Sequence, residues 1–513
     1  MIRNLAEAWR QLVSRTNRVP CLQSPGQALA PLLLAALSLS MAGAAEEEAN
    51  RWNVLMIVID DAAPQLHSVG QDGPLRTPNL ERLAERGTWF RQAYCAAPAC
   101  NPSRAAMLTG VEPSRSGIYY NSQKSPETWI AGAETLVARF RGAGYLAAGY
   151  GKIAHTMVAS IPDYSPGLAR PHNSSAHVRH RDSDLFAHLL PGTLRDGGTE
   201  SFSLGKLPDD WDRDDPEKWQ QDTEQADRAI ALLSQPHDGP FFLGVGFWRP
   251  HVRFAVPARY FDRHPLEEVE VPVGYHPFDL EDLPPRGRLM SWSDRHHVEI
   301  VKRGMWRELI QGYCAAMSYV DEQIGRVLDA LEASGHAENT IVVFLSDNGM
   351  HLGEKNHWLK YTLWEQATRV FLSISVPGYP RQALDTPVSL VDLYPTLAAL
   401  TGIGRPAHDL DGIDLTPLLV GERDDRGRPV LSTWGRGNHA IRDGRYRYIH
   451  SRNGEEELYD HRADEHEWRN LATDPALAPV KARLSAHLPE ADAPNVRKTN
   501  PPQSELDWDD LDC

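Results

Sequence analysis

Four short apolar runs are spread along this chain, and each breaks off into polar residues of a reactive kind. Val54 to Ile59 ("VLMIVI") stops at Asp60-Asp61, and Tyr145 to Tyr150 is followed by Lys152 and His155. Phe241 to Val245 leads into "WRPH" with His251, and Ile341 to Leu345 runs into Ser346-Asp347-Asn348-Gly349. Apolar runs this short read as strands buried on both faces, the pattern of a parallel sheet covered by helices. Helical patterns lie between them. Pro78 to Arg86 is opened by Thr77 and closed by Gly87, and Glu134 to Arg141 is closed by Gly142. Ser318 to Ala333 carries Ile324, Val327, Leu328 and Leu331 at helical spacing before Gly335. The alternation predicts an α/β fold with a large, mostly parallel sheet flanked by helices.

Ligands of such sheets bind beyond the carboxyl ends of the strands. Any one of these polar clusters reads as the start of a solvated loop, but four at the same structural position point to a site. Asp60, Asp61, Asp347 and Asn348 offer oxygen, which suits a hard divalent cation, Ca²⁺ or Mg²⁺ rather than zinc. Lys152, His155, His251 and Lys360 offer positive charge and proton transfer. A cation with basic side chains is a site for an oxyanion ester.

A further stretch, "YCAAPACNPSRAAMLTG", places Cys95 and Cys100 five apart. Pro102 is suited to the first residue of a helix running to about Thr109 and stopped by Gly110, which puts Cys100 at a helix N-terminus, where free N–H groups stabilise an anion. A Cys95–Cys100 disulfide fits the spacing equally well. A zinc site is disfavoured by the absence of paired ligands nearby in sequence.

Composition narrows the function. A chain of 513 residues, 41% of them hydrophobic, can bury a large core and has the length of two or more domains. A formal net charge of −16 argues against a general binder of nucleic acid or anionic membranes. The five cysteines are too few and too scattered for a disulfide scaffold. Residues 1–45 read as an export signal: Arg3, Arg10, Arg15 and Arg18 precede an uncharged stretch ending in the small-residue pattern Ala42-Gly43-Ala44. The expected location is therefore periplasmic or secreted. The apolar centre of that segment is short and interrupted by proline, so no stable membrane span is expected.

Cys100-Asn101-Pro102-Ser103-Arg104 matches the C-x-P-S-R signature of the type I, formylglycine-dependent sulfatases of the alkaline phosphatase superfamily. "NVLMIVIDD", "RTPNLERLAERGTWFRQAYC", "GYGKIAH", "WRPHVRF" and "SDNGMHLGEKNHWLKY" follow that family's order, and the chain most resembles the iduronate-2-sulfatase subgroup. The resemblance implies that a maturation enzyme oxidises Cys100 to formylglycine (3-oxoalanine). It implies a cation, Ca²⁺ before Mg²⁺, held by Asp60, Asp61, Asp347, Asn348 and the residue derived from Cys100. Arg104 and Lys152 would fix the nucleophile and Lys360 a sulfate oxygen. His155 would act as base, and His251 as proton donor to the leaving oxygen, shared with Lys360. Asn348 stands where the subgroup often has His, a departure that other sulfatases share.

The expected reaction is hydrolysis of a sulfate ester on a sulfated sugar, with a 2-O-sulfated uronic acid as the favoured substrate. The alternatives are a phosphate or phosphonate ester hydrolase of the superfamily and a catalytically silent carbohydrate-binding homologue. Arg170, Arg179, Arg181 and Arg195, between Ala169 and Arg195, are candidates for pairing with a uronate carboxylate. The expected organisation is a catalytic α/β domain over 46–420, a smaller antiparallel-sheet subdomain over 421–500 and an acidic, disordered tail over 501–513.

Overall fold

The computed structural model describes residues 51–66, 75–123, 133–155, 204–207, 221–252, 254–291 and 294–496. The predicted export signal, the arginine-bearing stretch Ala169–Arg195 and the acidic tail lie outside the described residues.

The central sheet has seven strands: β1 Asn53–Asp60, β2 Thr88–Phe90, β3 Leu146–Gly151, β4 Phe241–Pro250, β5 Thr340–Ser346, β6 Leu372–Ser375 and β7 Gln382–Leu384. Their order is β7-β2-β6-β5-β1-β4-β3. The four apolar runs picked out above become neighbours in it, β5-β1-β4-β3, all parallel. Ile57, for example, lies opposite Phe344 on one side and Val245 on the other.

The layers follow from the side-chain period of two. On β1, Leu55, Ile57 and Ile59 point into one core and Val54, Met56 and Val58 into another, and all six are fully buried. The first core is completed by helices α1 Pro78–Arg86, α4 Gln221–Leu233 and α5 Trp306–Ala333. The second is completed by α2 Cys100–Thr109, α3 Leu136–Gly142 and α6 Leu393–Thr401. Each fully buried aliphatic side chain of this kind contributes about 1.5–3 kcal/mol relative to exposure. A strand covered on both faces has no polar side to show, hence the unbroken apolar runs.

Beyond the sheet, β8 Val430–Thr433, β9 His439–Arg442, β10 Tyr446–His450 and β11 Glu456–Asp460 form an antiparallel meander. Ile441, Tyr448 and Leu458 on one face pack with Leu484 of helix α7 Ala478–Ser485. From the other face Ala440, Ile449 and Tyr459 meet Ala99, Tyr119, Tyr120 and Trp364.

Local details depart from the pattern in three places. Strand β6 runs antiparallel to both β5 and β2, so the sheet is mixed rather than parallel throughout. The chain leaves β5 at its carboxyl end, stays at that edge to build the site, and must return the opposite way. Helix α3 starts at Leu136, because Thr135 accepts the Ala138 N–H and caps it. Helix α5 begins at Trp306, well before Ser318, since residues from Leu309 onward are also buried against the sheet.

Candidate active site

The carboxyl ends of β1 and β5 lie side by side, and this adjacency brings three carboxylates together. Asp60, Asp61 and Asp347 can place ligand oxygens within 4.8 Å of one another, and all are buried. The Asp347 N–H donates to the Ile59 carbonyl at 3.2 Å, and the Asp61 N–H donates to Asp347 Oδ1 at 3.2 Å. Asp61 holds a left-handed backbone (φ 59°), a conformation that non-glycine residues keep only where the surroundings enforce it. Asn348 Nδ2 donates to Asp61 Oδ1 at 2.8 Å, which directs its Oδ1 elsewhere.

Cys100 is the first residue of α2, as the sequence placed it, although Pro102 is the third residue rather than the first. The helix is closed by Gly110, whose φ of 68° lets its N–H reach the Ala106 carbonyl. Cys100 Sγ lies 3.3 Å from Asp60 Oδ1 and 2.9 Å from Lys360 Nζ. Cys95 is instead a buried thiol in the second core, 3.7 Å from the Ala367 carbonyl, so the disulfide alternative is not what the fold adopts. The next residues of the motif anchor the helix. Ser103 Oγ donates to the Asp347 carbonyl, and Asn101 Nδ2 donates to the carbonyls of Tyr120 and Gln123 at 2.9 and 3.1 Å.

The basic groups surround the carboxylates. Arg104 Nε meets Asp347 Oδ2 at 2.7 Å, its Nη2 meets Asp60 Oδ1 at 3.3 Å, and its Nη1 donates to the Lys152 carbonyl. The guanidinium thus bridges two of the three clustered carboxylates. Lys152 Nζ pairs with Asp60 and lies 4.2 Å from the Trp248 ring centroid. Lys360 Nζ pairs with Asp61 Oδ1 at 2.6 Å, and His251 Nε2 lies 3.5 Å from Asp61 Oδ2. His155 follows β3 on the same edge.

The electrostatics set the three carboxylates apart from one another. Burial works to raise Asp60, but Lys152, His251 and Arg104 outweigh it and hold the carboxyl well below its usual range. Asp61 is lowered in the same way, with Lys360 as its main counter-charge. Asp347 gives way: burial, only partly offset by Arg104 and reinforced by Asp60 and Asp61, pushes it up to about 7. Burial and Lys152 hold His155 well below the ordinary imidazole value, so it is neutral at neutral pH.

A hard cation fits these donors. Asn348 Oδ1 is a buried oxygen with no hydrogen-bond partner, and Asp61 Oδ2 has only the His251 ring, at 3.5 Å; such oxygens are costly unless something positive meets them. A second acidic group, Glu365, His461 and Glu467, does not share this feature. Arg447 already pairs with both of its carboxylates.

Sequence reasoning missed two contributors. Asp222, in the first turn of α4, accepts the N–H groups of Trp248 and Arg249 at 2.7 and 2.9 Å and so shapes the turn that presents His251. Lys355, inside a motif quoted above but unremarked there, is fully buried and donates to Asp279 Oδ1 at 2.6 Å. Both act through partners distant in sequence. The arginines between Ala169 and Arg195 are not placed, since they fall outside the described residues.

Comparison with known proteins agrees with this geometry. Residues 52–403 match the family model described as Sulfatase, and residues 353–493 match that described as N-sulphoglucosamine sulphohydrolase, C-terminal. A Sulfatase of Formosa agariphila is 33% identical over 462 residues, 87% of this chain and 88% of the relative. The Iduronate 2-sulfatase of Homo sapiens is 31% identical over 439 residues, covering 74% of this chain and 75% of the relative. The solved phosphonate monoester hydrolase of Agrobacterium radiobacter shares the fold, with a TM-score of 0.65 at 21% identity over 85% of this chain and 94% of that one. With the family model spanning the sheet, the carboxylate cluster and Cys100, the chain belongs to the sulfatase family of the alkaline phosphatase superfamily and is a sulfuric ester hydrolase.

Proposed function

We propose that this sulfatase removes the 2-O-sulfate from a uronic acid of a polysaccharide-derived oligosaccharide, through a formylglycine formed at Cys100 and a bound divalent cation, Ca²⁺ before Mg²⁺. The observation that carries the reading is the position of Cys100 at a helix N-terminus, beside Asp60 and Lys360 and next to under-partnered oxygens. The likeness to an iduronate 2-sulfatase favours the uronate.

Asp60, Asp61, Asp347 and Asn348 would hold the cation, which supplies Lewis-acid polarisation of a sulfate oxygen. The hydrated aldehyde at residue 100 would supply one hydroxyl to attack sulfur, breaking the S–O bond to the sugar oxygen, and a second whose deprotonation would re-form the aldehyde and expel sulfate by C–O cleavage. Arg104 fixes Asp60 and Asp347 relative to the helix that carries the nucleophile. Lys152 and Lys360 add positive charge where the ester's charge grows. His155, neutral because buried beside Lys152, is suited to take the proton of the second hydroxyl. His251 is suited to protonate the leaving sugar oxygen, a role shared with Lys360, which meets the other oxygen of the same Asp61 carboxylate.

Residues 1–45 are proposed to direct export to the periplasm or beyond. Among the described residues no helix is long and apolar enough to cross a membrane.

The test is peptide mass spectrometry joined to turnover. Active protein should carry an aldehyde at Cys100 and an unmodified thiol at Cys95, and should release sulfate from aryl sulfates much faster than phosphate from aryl phosphates. A 2-O-sulfated uronate disaccharide should react faster than its carboxyl-reduced form. Full activity with Cys100 still a thiol refutes the mechanism. Equal rates on the acid and alcohol forms refute only the uronate.

A further inference from the structure

We propose that Lys355 is a positioning residue that ties the loop carrying Lys360 to the body of the protein, and so holds the Lys360 ammonium against the nucleophile. This rests on the role given to Lys360 above.

The loop from Gly353 to Tyr361 has an unusual backbone. Lys355 (φ 55°), Asn356 (φ 51°), Leu359 (φ 75°) and Tyr361 (φ 75°) all take left-handed conformations, and none is glycine. Such residues persist only where surrounding contacts over-determine them, and they gather at functional sites. The purpose of the path is visible at its end. Lys360 Nζ stands 2.6 Å from Asp61 Oδ1 and 2.9 Å from Cys100 Sγ.

The contact that enforces the path is a buried ammonium. Lys355 is fully buried, donates to Asp279 Oδ1 at 2.6 Å and to the Glu467 carbonyl, and lies 5.2 Å from the Tyr459 ring centroid and 5.5 Å from that of Trp364. Glu467 is itself fixed, since its carboxylate meets Arg447 Nε on β10 at 2.6 Å. The tie therefore runs from the antiparallel meander, through Glu467 and Lys355, to Lys360. At the other end of the loop, the His357 ring bonds the Lys360 carbonyl at 2.7 Å and the Tyr361 N–H donates to the Pro98 carbonyl at 3.1 Å. Without the Lys355 anchor the loop can relax toward ordinary backbone conformations and carry Lys360 off its partners. Displacements of about 1 Å at a reacting centre can cost ~10²-fold in rate.

A purely structural role would lower stability without regard to Lys360, and a double-mutant cycle separates the two. Replacing Lys355→Met together with Asp279→Leu leaves no stranded buried charge. In matured, cation-loaded enzyme assayed on an aryl sulfate, this paired change should lower kcat by roughly ten- to a hundredfold, with KM altered by less than about threefold. In a Lys360→Ala background the same change should cost less than about twofold. Equal losses in both backgrounds, or no loss in either, overturn the proposal. If Lys360→Ala alone has no effect, the reading of Lys360 fails first and this inference with it. Should the paired variant fail to accumulate, Asp279→Asn keeps the shape of the site and removes the counter-charge of the tie, with kcat read per folded molecule. It carries the same expectation and the same refutation.

Discussion

Replacing Asp347→Asn should make the cation-free protein less sensitive to pH while abolishing its response to the cation. In the absence of a cation, burial raises the Asp347 carboxyl, Arg104 opposes this, and Asp60 and Asp61 add to it, so that the group titrates near 7 instead of 3.8. Each unit corresponds to ~1.4 kcal/mol, so an ionised Asp347 costs the folded state roughly 4 kcal/mol. The sign follows from proton counting. Between about pH 4 and 7 the folded protein keeps a proton that the unfolded chain has released, so stability falls as pH rises through that window; below pH 4 the penalty is absent. At ~2.1 cal/mol/K per residue, a chain of this size unfolds with an entropy of roughly 1 kcal/mol/K, so the loss amounts to about 4 °C in Tm. Thermal unfolding after chelation, at pH 5 and pH 7.5, reads this directly. Part of that penalty is already present at pH 5, so between the two pH values wild type should lose roughly 2–3 °C more than the variant, whose lost bond to Arg104 acts equally at both. Ca²⁺ should then raise the Tm of wild type and leave that of the variant unchanged, and the variant should not turn over substrate. A variant stabilised by Ca²⁺ as strongly as wild type, or parallel pH profiles after chelation, would refute the argument.

Two further substitutions probe how the fold supports the site. In Gly246→Ala the new Cβ would stand 2.2 Å from the backbone carbon and oxygen of Lys152, which only a separation of β3 from β4 relieves, so stability should fall by ~1–3 kcal/mol or more and kcat by at least about tenfold; a variant with normal Tm and kcat would contradict the register described. Asp321→Ala removes the carboxylate that accepts the N–H groups of Asn79 and Leu80, at 3.1 and 2.9 Å, at the start of α1. Tm should drop by about 1–3 °C, from roughly 1–3 kcal/mol, with kcat per folded molecule unchanged because none of these groups touches the site. A large fall in kcat would show that α1 reaches the chemistry.

Much of this arrangement is legible in the chain itself. Strands covered on both faces must be apolar throughout, so β1, β4 and β5 announce themselves as short unbroken runs, and the polar residues that end them mark the edge where a ligand can bind. The donor chemistry of Asp60, Asp61, Asp347 and Asn348 is equally local, because oxygen ligands select hard cations wherever the fold brings them together. The C-x-P-S-R stretch places Cys100 at a helix start, since proline favours the first turn of a helix.

What only the tertiary structure decides are pairings between residues far apart in sequence, whose free energy depends on exclusion of water that no local pattern encodes. Arg104 bridges Asp60 and Asp347, because three buried carboxylates need a counter-charge at that point. The antiparallel return of β6 is dictated by the loop that must stay at the carboxyl edge to deliver Lys360. Cys95 and Cys100 remain apart because one is buried in the apolar core while α2 sets the other beside the carboxylates. Nothing local marks Lys355 for burial, which follows only once Asp279 and Glu467 have folded around it.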